Sequence, residues 1–262
     1  MIKFFFLIPT LNSSENLSRL VSSFKKQTYE HWRILFVDGF STKFHRKKLS
    51  EICSSSEKFS MIQQNKNEPG IYGAMNQGFN FIREDEWLFF WGDDDWVYSQ
   101  NTLEKLAFEI YKKKNSGLIV CQGQYVDTKK RKLSRKAFFI RKYHQRILNN
   151  SAFRRLLFYG FSPPHQATGF SPELCKKIPY YSKYLELAAD LDYFLRISKL
   201  NKFSVLTISN KIVFMSNNGI SSRKIYKRLL EVSLVYIDSF GIFFFVPLLM
   251  RYIRKIMFKY LL

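Results

Sequence analysis

Acidic residues are scarce in this chain. Its 262 residues include 42 lysines and arginines but only 21 aspartates and glutamates, for a formal net charge of +21. A surplus of that size draws anions: phosphorylated substrates, acidic lipid headgroups or nucleic acid. Cysteine is scarcer still. Cys53, Cys121 and Cys175 are scattered, odd in number and form no CxxC pair, which argues against a disulfide framework or a zinc site and suits a reducing compartment. There is no internal repeat and no linker rich in proline, glycine or serine, and a hydrophobic content of 46% argues against general disorder. No apolar run reaches the roughly 20 residues that cross a bilayer; FGIFFFVPLLM (240–250) stops short. The opening MIKFFFLIPTLNSSEN carries no small-residue cleavage site behind its apolar run, so it reads as a buried strand and not as a signal peptide.

What the sequence does contain is an alternation. IKFFFLI (2–8), RILFVD (33–38), FSMIQQ (59–64), EWLFFW (86–91) and GLIVCQGQYV (117–126) read as strands. SENLSRLVSSFKKQ (14–27), capped by Ser14, RKKLSEICSS (46–55), IYGAMNQGFNFI (71–82) and NTLEKLAFEIYKKK (101–114) read as helices between them. Such alternation predicts an α/β fold with a mostly parallel sheet, whose ligands bind beyond the carboxyl ends of the strands. At those ends stand PTLN, DGFST and GDDD. Past residue 127 the character changes. Eleven lysines and arginines and no acid fall between 128 and 172. An amphipathic helix is predicted over 184–200, strands over 203–209 and 211–216, and a helical, aromatic, basic end from Ser221 on.

Clustered aspartates behind a strand set hard oxygen ligands at the sheet rim. Mg²⁺ or Mn²⁺ suits such ligands, with one or two protein carboxylates and substrate phosphates completing the shell. The plainer alternative is a solvated acidic turn; three aspartates directly behind LFFW favour a metal or nucleotide. Asp190 follows the apolar LELAA, where a carboxylate is costly unless paired or used. Its alternative is a surface acid paired with Lys183, Arg196 or Lys199. Asp190 and Asp192 lie two apart, so a helix points only one of them into a cleft.

The strings IPTLN, FVDGFST, EPGIYGAMNQGF, FFWGDDDW, HQATGF and AADLDYFLR, in that order over residues 2–220, resemble family 2 glycosyltransferases of the GT-A fold. The likeness is strongest to the branch that builds bacterial exopolysaccharides and lipid-linked O-antigen repeats. It implies a GT-A domain over 1–220, with a nucleotide-sugar half at 1–127 and an acceptor half at 128–220, ahead of a basic helical region at 221–262. It implies donor contacts from Pro9, Thr10, Asn12, Asp38, Gly70, Ile71, Tyr72, Asn76, Asp93 and Asp94. It also implies a metal ion, Mn²⁺ or Mg²⁺, on Asp95, a catalytic base at Asp190, and His165 and Gln166 on the acceptor side. The reaction implied is an inverting transfer from a UDP-sugar. Two departures stand out. Gly73 occupies a position where relatives carry an acid in a GIYDAMN-like string, a loss that would either alter the sugar pocket or pass the contact to Glu68. Asp93 stands where serine or alanine is usual.

The belt KKRKLSRKAFFIRKYHQR (129–146) has no accompanying nucleic-acid motif, and Phe138 and Phe139 sit together and not as a stacking array, so no nucleic-acid partner is expected. An anionic membrane surface suits the belt better. FFFVPLLMRYIRKIMFKYLL (243–262) mixes apolar bulk with Arg251, Arg254, Lys255 and Lys259, a pattern for an interfacial helix; a terminal helix packed on the domain is the alternative. The expectation is a peripheral enzyme on the cytoplasmic face of the membrane, acting on a saccharide carried by a polyprenyl diphosphate. Two other classes stay open: a nucleotidyltransferase, for which a glycine- and lysine-rich triphosphate loop is missing, and a non-catalytic basic module on a transferase fold.

Overall fold

The computed structural model describes residues 1–113, 116–128, 130, 132–140, 146–217 and 224–260. Ten strands are described: β1 (Lys3–Thr10), β2 (Trp32–Asp38), β3 (Phe59–Gln63), β4 (Glu86–Phe90), β5 (Trp96–Val97), β6 (Leu118–Asp127), β7 (Lys132–Ala137), β8 (Arg146–Asn149), β9 (Thr168–Phe170) and β10 (Ser204–Ser216). The helices are α1 (Ser14–Lys25), α2 (Lys43–Ser54), α3 (Gly70–Gly78), α4 (Thr102–Lys112), α5 (Asn150–Phe158), α6 (Pro172–Lys177), α7 (Ala189–Ile197), α8 (Ile225–Phe240) and α9 (Phe245–Tyr260). All strands join one sheet in the order β3-β2-β1-β4-β9-β6-β10-β5, with β7 paired to β6 and β8 to β10. β1, β2, β3 and β4 pair in parallel, as do β6 and β10; β9 is inserted antiparallel between β4 and β6.

Both faces of the sheet are buried, which is why its central strands read as unbroken apolar runs. β1 sends Phe4, Phe6 and Ile8 to one face, against Leu17, Leu20 and Phe24 of α1 and Leu103, Leu106 and Ile110 of α4. Phe5 and Leu7 go to the other face, which also carries Met75 of α3, Phe153 and Leu157 of α5, Tyr193 and Phe194 of α7 and Val232 and Tyr236 of α8.

Several expectations change. Ser13 occupies the cap position of α1 without making a capping bond, and Ser14 Oγ instead meets His45 Nδ1 at 3.1 Å. The helix predicted over 184–200 begins only at Ala189. Glu231 of α8 accepts the N–H groups of Glu186, Leu187 and Ala188 (3.2, 2.7 and 3.0 Å), so those donors are committed outside any helix. The runs at 203–209 and 211–216 form one strand of 13 residues, β10, with register shifts between Thr207 and Val213. In the basic belt, 129, 131 and 141–145 lie outside the described residues, as does the expected boundary at 220/221.

The tail also differs from the length argument. Helical residues extend on both sides of the apolar run, and Ile225–Met257, taken end to end, is long and apolar enough to cross a membrane. Gly241, at φ +57°, divides it, a backbone conformation that glycine adopts at little cost. Each limb has 16 residues, a rise of about 24 Å against a hydrocarbon core of about 30 Å.

Candidate active site

Three strand ends build one rim. Thr10 of β1 pairs with Asp38 of β2, and Asp38 with Gln63 of β3; Pro9 lies one step back, beside Val37. The loops beyond are cross-stitched. Gly39 N–H donates to the Thr10 carbonyl, Asn12 N–H to Ser41 Oγ and Thr42 N–H to Asn12 Oδ1, each at 2.9 Å. Asn12 is therefore spent on shaping the loop, at φ 53°, a conformation asparagine tolerates. Buried Asp38 takes the Ser41 N–H on Oδ2 (3.2 Å), but its Oδ1 has no hydrogen-bond partner. Neither have Thr10 Oγ1 and His45 Nε2, the latter 3.9 Å from Asp38 Oδ1. Burial holds His45 below its ordinary pKa against the pull of Asp38. Buried polar atoms are almost always satisfied, so this set fits a polar ligand such as a nucleobase or ribose.

The acid cluster follows β4. Trp91 N–H donates to the Leu7 carbonyl, and Asp95 folds back so that its Oδ2 accepts Gly92 N–H at 2.7 Å. β5 then pairs with β10, bringing Ser216 to the Asp94 carboxylate. Asp95 is 2% exposed. Burial, then the charge of Asp94, raises its pKa well above the usual carboxylate range. Burial also lifts Asp94, opposed by Ser216 and Arg19, and pushes Asp93 up to about 6 although Ser13 and the Leu11 backbone oppose the rise. Arg19, stacked 3.7 Å over the Trp96 ring, donates to the Asp94 carbonyl at 3.2 Å. No group of three or more His, Cys, Asp or Glu side chains is arranged as a ready metal cage among the described residues. The donor set nonetheless fits a divalent cation: hard oxygens, buried, raising one another's pKa, with substrate phosphates available to complete the shell.

The opposite wall is α3 and α7. Gly70 opens α3 at φ 82°, Ile71 is exposed, and Tyr72 hydrogen-bonds Asp190. Burial and the Asp190 charge hold the Tyr72 phenol neutral. Asn76 does not face the rim: its amide is used at both ends by the Tyr181 backbone (3.0 and 2.6 Å). Asp190 stands in the first turn of α7, where the helix dipole favours negative charge. Its side chain is part-buried and its Oδ1 accepts Leu191 N–H at 2.8 Å. Two of the three rival cation partners are engaged elsewhere, Arg196 with Asp192 and Lys183 with Glu68. Asp192 accordingly points away. His165 stacks on Phe90 and shares a 2.8 Å hydrogen bond with Tyr181 Oη; burial lowers its pKa although the Asp190 charge opposes this. Gln166 contributes its carbonyl to Trp91 Nε1. Burial raises the pKa of Tyr125 of β6, with smaller contributions from the Asp95 and Asp190 charges, and Arg135 of β7 stacks 4.4 Å over its ring and opposes the rise.

A sequence profile described as Glycosyl transferase family 2 matches residues 5–171, more than half of the chain. The chain belongs to glycosyl transferase family 2. A PGL/p-HBAD biosynthesis glycosyltransferase of Mycobacterium tuberculosis is 31% identical over 116 residues, 44% of each chain. The Escherichia coli UDP-Glc:alpha-D-GlcNAc-diphosphoundecaprenol beta-1,3-glucosyltransferase WfgD is 27% identical over 119 residues, 45% of this chain and 44% of that one. These matches thus span less than half of the relatives' length. Among solved structures, S. aureus TarS 1–349 in complex with UDP-GlcNAc superposes with a TM-score of 0.68 at 16% identity, covering 99% of this chain and 73% of that one. The mannosyltransferase PcManGT of Pyrobaculum calidifontis, in complex with GDP-Man and Mn²⁺, gives 0.64 at 11%, covering 95% and 69%. At those identities the likeness establishes the GT-A architecture.

In this family 2 chain the loop before α3 leaves no room for a side chain at Gly73. A Cβ there would lie 2.0 Å from the Glu68 carbonyl oxygen. The loop before α3 closes onto the bare backbone, held by Gln64 Nε2 to the carbonyls of Glu68 (2.6 Å) and Gly70 (2.7 Å). Glu68, the expected substitute acid, is ion-paired with Lys183. Sequence reasoning missed Arg19, His45, Tyr125, Arg135 and Glu231. Of these only Arg135, inside the basic belt at 129–146, carried a local signal.

Proposed function

We propose that the chain is an inverting glycosyltransferase that moves one sugar from a UDP-sugar to a hydroxyl of a saccharide acceptor carried on a polyprenyl diphosphate. It works at the cytoplasmic face of a membrane, in cell-surface polysaccharide biosynthesis. The observation that supports this reading best is the pair of features beyond the strand ends, the unsatisfied atoms around Asp38 and the buried carboxylates Asp93–Asp95, together with Asp190 hydrogen-bonded to Tyr72 of α3. Thr10, Asp38 and His45 offer buried polar atoms to the base and ribose. Gly70, Ile71 and Tyr72 border the sugar. Asp190 receives the proton of the attacking hydroxyl as general base, and the Tyr72 phenol holds its carboxylate in place. Asp95, with Asp94 beside it, would hold Mn²⁺ or Mg²⁺; the bound ion neutralises charge on the departing nucleoside diphosphate. One displacement from the opposite face inverts the anomeric centre.

The UDP complexes of TarS, the Mn²⁺ complex of PcManGT and the diphosphoundecaprenol acceptor in the name of the E. coli relative support the donor, metal and acceptor classes. Calorimetric titration with UDP tests the reading. Binding should require Mn²⁺ or Mg²⁺; no binding, or binding indifferent to the metal, would overturn it.

A further inference from the structure

α8 and α9 are joined at Gly241, and each keeps one face on the domain. On α8 that face carries Val232, Val235 and Tyr236, all buried, and Glu231, which accepts the backbone N–H groups of Glu186, Leu187 and Ala188. On α9 it carries Leu248 and Arg254. A Cβ on Gly160 would lie 2.4 Å from the Arg251 backbone nitrogen, so α9 rests directly on the turn that ends α5. Arg254 Nε donates to the Tyr159 carbonyl at 3.0 Å, and its guanidinium lies 3.3 Å over the Phe161 ring.

The outer faces are apolar. Leu230, Leu234 and Ile237 on α8 and Leu249, Ile253 and Ile256 on α9 are 40–66% exposed. In each helix they recur at i, i+4 and i+7, one stripe per limb. A helix that meets water does the reverse: it buries its apolar stripe and shows its charges. Here Glu231 and Arg254 turn onto the domain and the aliphatic side chains turn away from it. The core helix of a soluble protein can be as apolar as this, but it is mostly buried. Only 22% of the most apolar stretch of Ile225–Met257 is buried. A continuous bare face of this kind marks a surface that something covers.

We propose that the two stripes are a lipid-docking surface, by which the enzyme lies on an anionic bilayer with α8 and α9 in the plane of the interface. This deepens the membrane location proposed above and rests on it. Three observations favour lipid over a protein partner or a second copy. The stretch is as apolar as a segment that crosses a bilayer, whereas a protein–protein interface as a whole is about as apolar as any other protein surface. No acid follows Asp238, while Arg251, Arg254, Lys255 and Lys259 do, in a chain of net charge +21; interfacial helices set apolar residues among acyl chains and cations near lipid phosphates. Finally, each limb has 16 residues, too few to cross the roughly 30 Å hydrocarbon core, and is committed to the domain along one side, so the limbs lie flat. Glu231 gives the docking a consequence for the reaction. The helix that meets lipid also fixes residues 186–188, which lead into Asp190. Docking therefore holds that segment within about 10 Å, one helix diameter, of the lipid, where a lipid-linked acceptor presents its sugar.

The test uses the full chain with vesicles of phosphatidylcholine and phosphatidylglycerol, read by flotation. The wild type should bind and stay bound in about 1 M salt, where charges are screened within about 3 Å. Release by salt overturns the proposal, because the surplus charge alone would then hold the chain. Leu249→Gln/Ile253→Gln replaces side chains that already face solvent, and should weaken vesicle binding about tenfold or more. If circular dichroism shows that variant unfolded, Leu230→Gln/Leu234→Gln must give the same loss. Unchanged vesicle binding in a folded variant overturns the proposal. So does a wild-type dimer in buffer that the variant turns into a monomer, because the stripes would then join two copies. UDP–Mn²⁺ affinity should be equal in wild type and variant; its absence from the wild type would sink the transferase reading and leave the vesicle result standing.

Discussion

Replacing Glu231 with glutamine tests whether α8 positions the segment that leads into Asp190. Glu231 is 6% exposed, and its carboxylate accepts three backbone N–H groups just ahead of α7, two on Oε2 (Leu187, 2.7 Å; Ala188, 3.0 Å) and one on Oε1 (Glu186, 3.2 Å). Glutamine can keep its oxygen where Oε2 stands, but its NH₂ then faces the Glu186 N–H, donor against donor. The lost bond and the lost charge assistance on the other two together cost about 2–4 kcal/mol, taking hydrogen bonds to charged groups at about 1.5–3 kcal/mol. In a chain of this size that lowers Tm by about 5–15 °C. Thermal unfolding followed by circular dichroism measures it. Because residues 186–188 lead directly into Asp190, turnover should also fall while UDP–Mn²⁺ affinity holds. A variant with wild-type Tm and turnover would refute the reasoning, because segment 186–188 would then be positioned by something other than α8.

Gly73→Ala should lower Tm by about 2–8 °C: the clash with the Glu68 carbonyl, about 1–3 kcal/mol of overpacking, outweighs a helix-propensity gain of up to about 1 kcal/mol. A rise in Tm would mean the loop yields freely. Asp190→Asn should bind UDP–Mn²⁺ normally yet lose about 10²–10⁴ in kcat, the usual contribution of a general base; full activity would remove Asp190 from that role. Asp95→Asn should raise the Tm of the metal-free protein at pH 7 and abolish stabilisation by Mn²⁺. The sign follows from its raised folded pKa: the buried carboxylate favours folding in its protonated form, and this contribution is lost as pH rises from the unfolded value near 3.8 towards the folded one. A lower Tm, or an intact Mn²⁺ response, would refute it.

The central sheet and its rim were legible because their signals are local. A strand buried on both faces is a short apolar run whatever surrounds it, and the polar residue that ends it falls at the rim by chain geometry alone. That is how Asp38, Asp93–Asp95 and the Tyr72 helix could be placed. Boundaries that depend on distant partners were not legible. The sequence 184–188 has helical periodicity, but its N–H groups are taken by a carboxylate more than 40 residues away. Asn76 likewise has the look of a rim residue and is spent on Tyr181.

By itself the sequence determined which segments bury themselves, which carboxylates stand at the strand ends, and that the whole would carry a large positive charge. Tertiary structure alone decided what those charges face. Glu231 reaches the segment ahead of Asp190, and Tyr72 reaches Asp190 itself, only when α8 and α3 are packed beside α7. The physical reason is range. Hydrophobic periodicity is written into neighbouring residues, whereas electrostatic and hydrogen-bonding partners across a cleft are joined only by the closed fold and leave no mark along the chain.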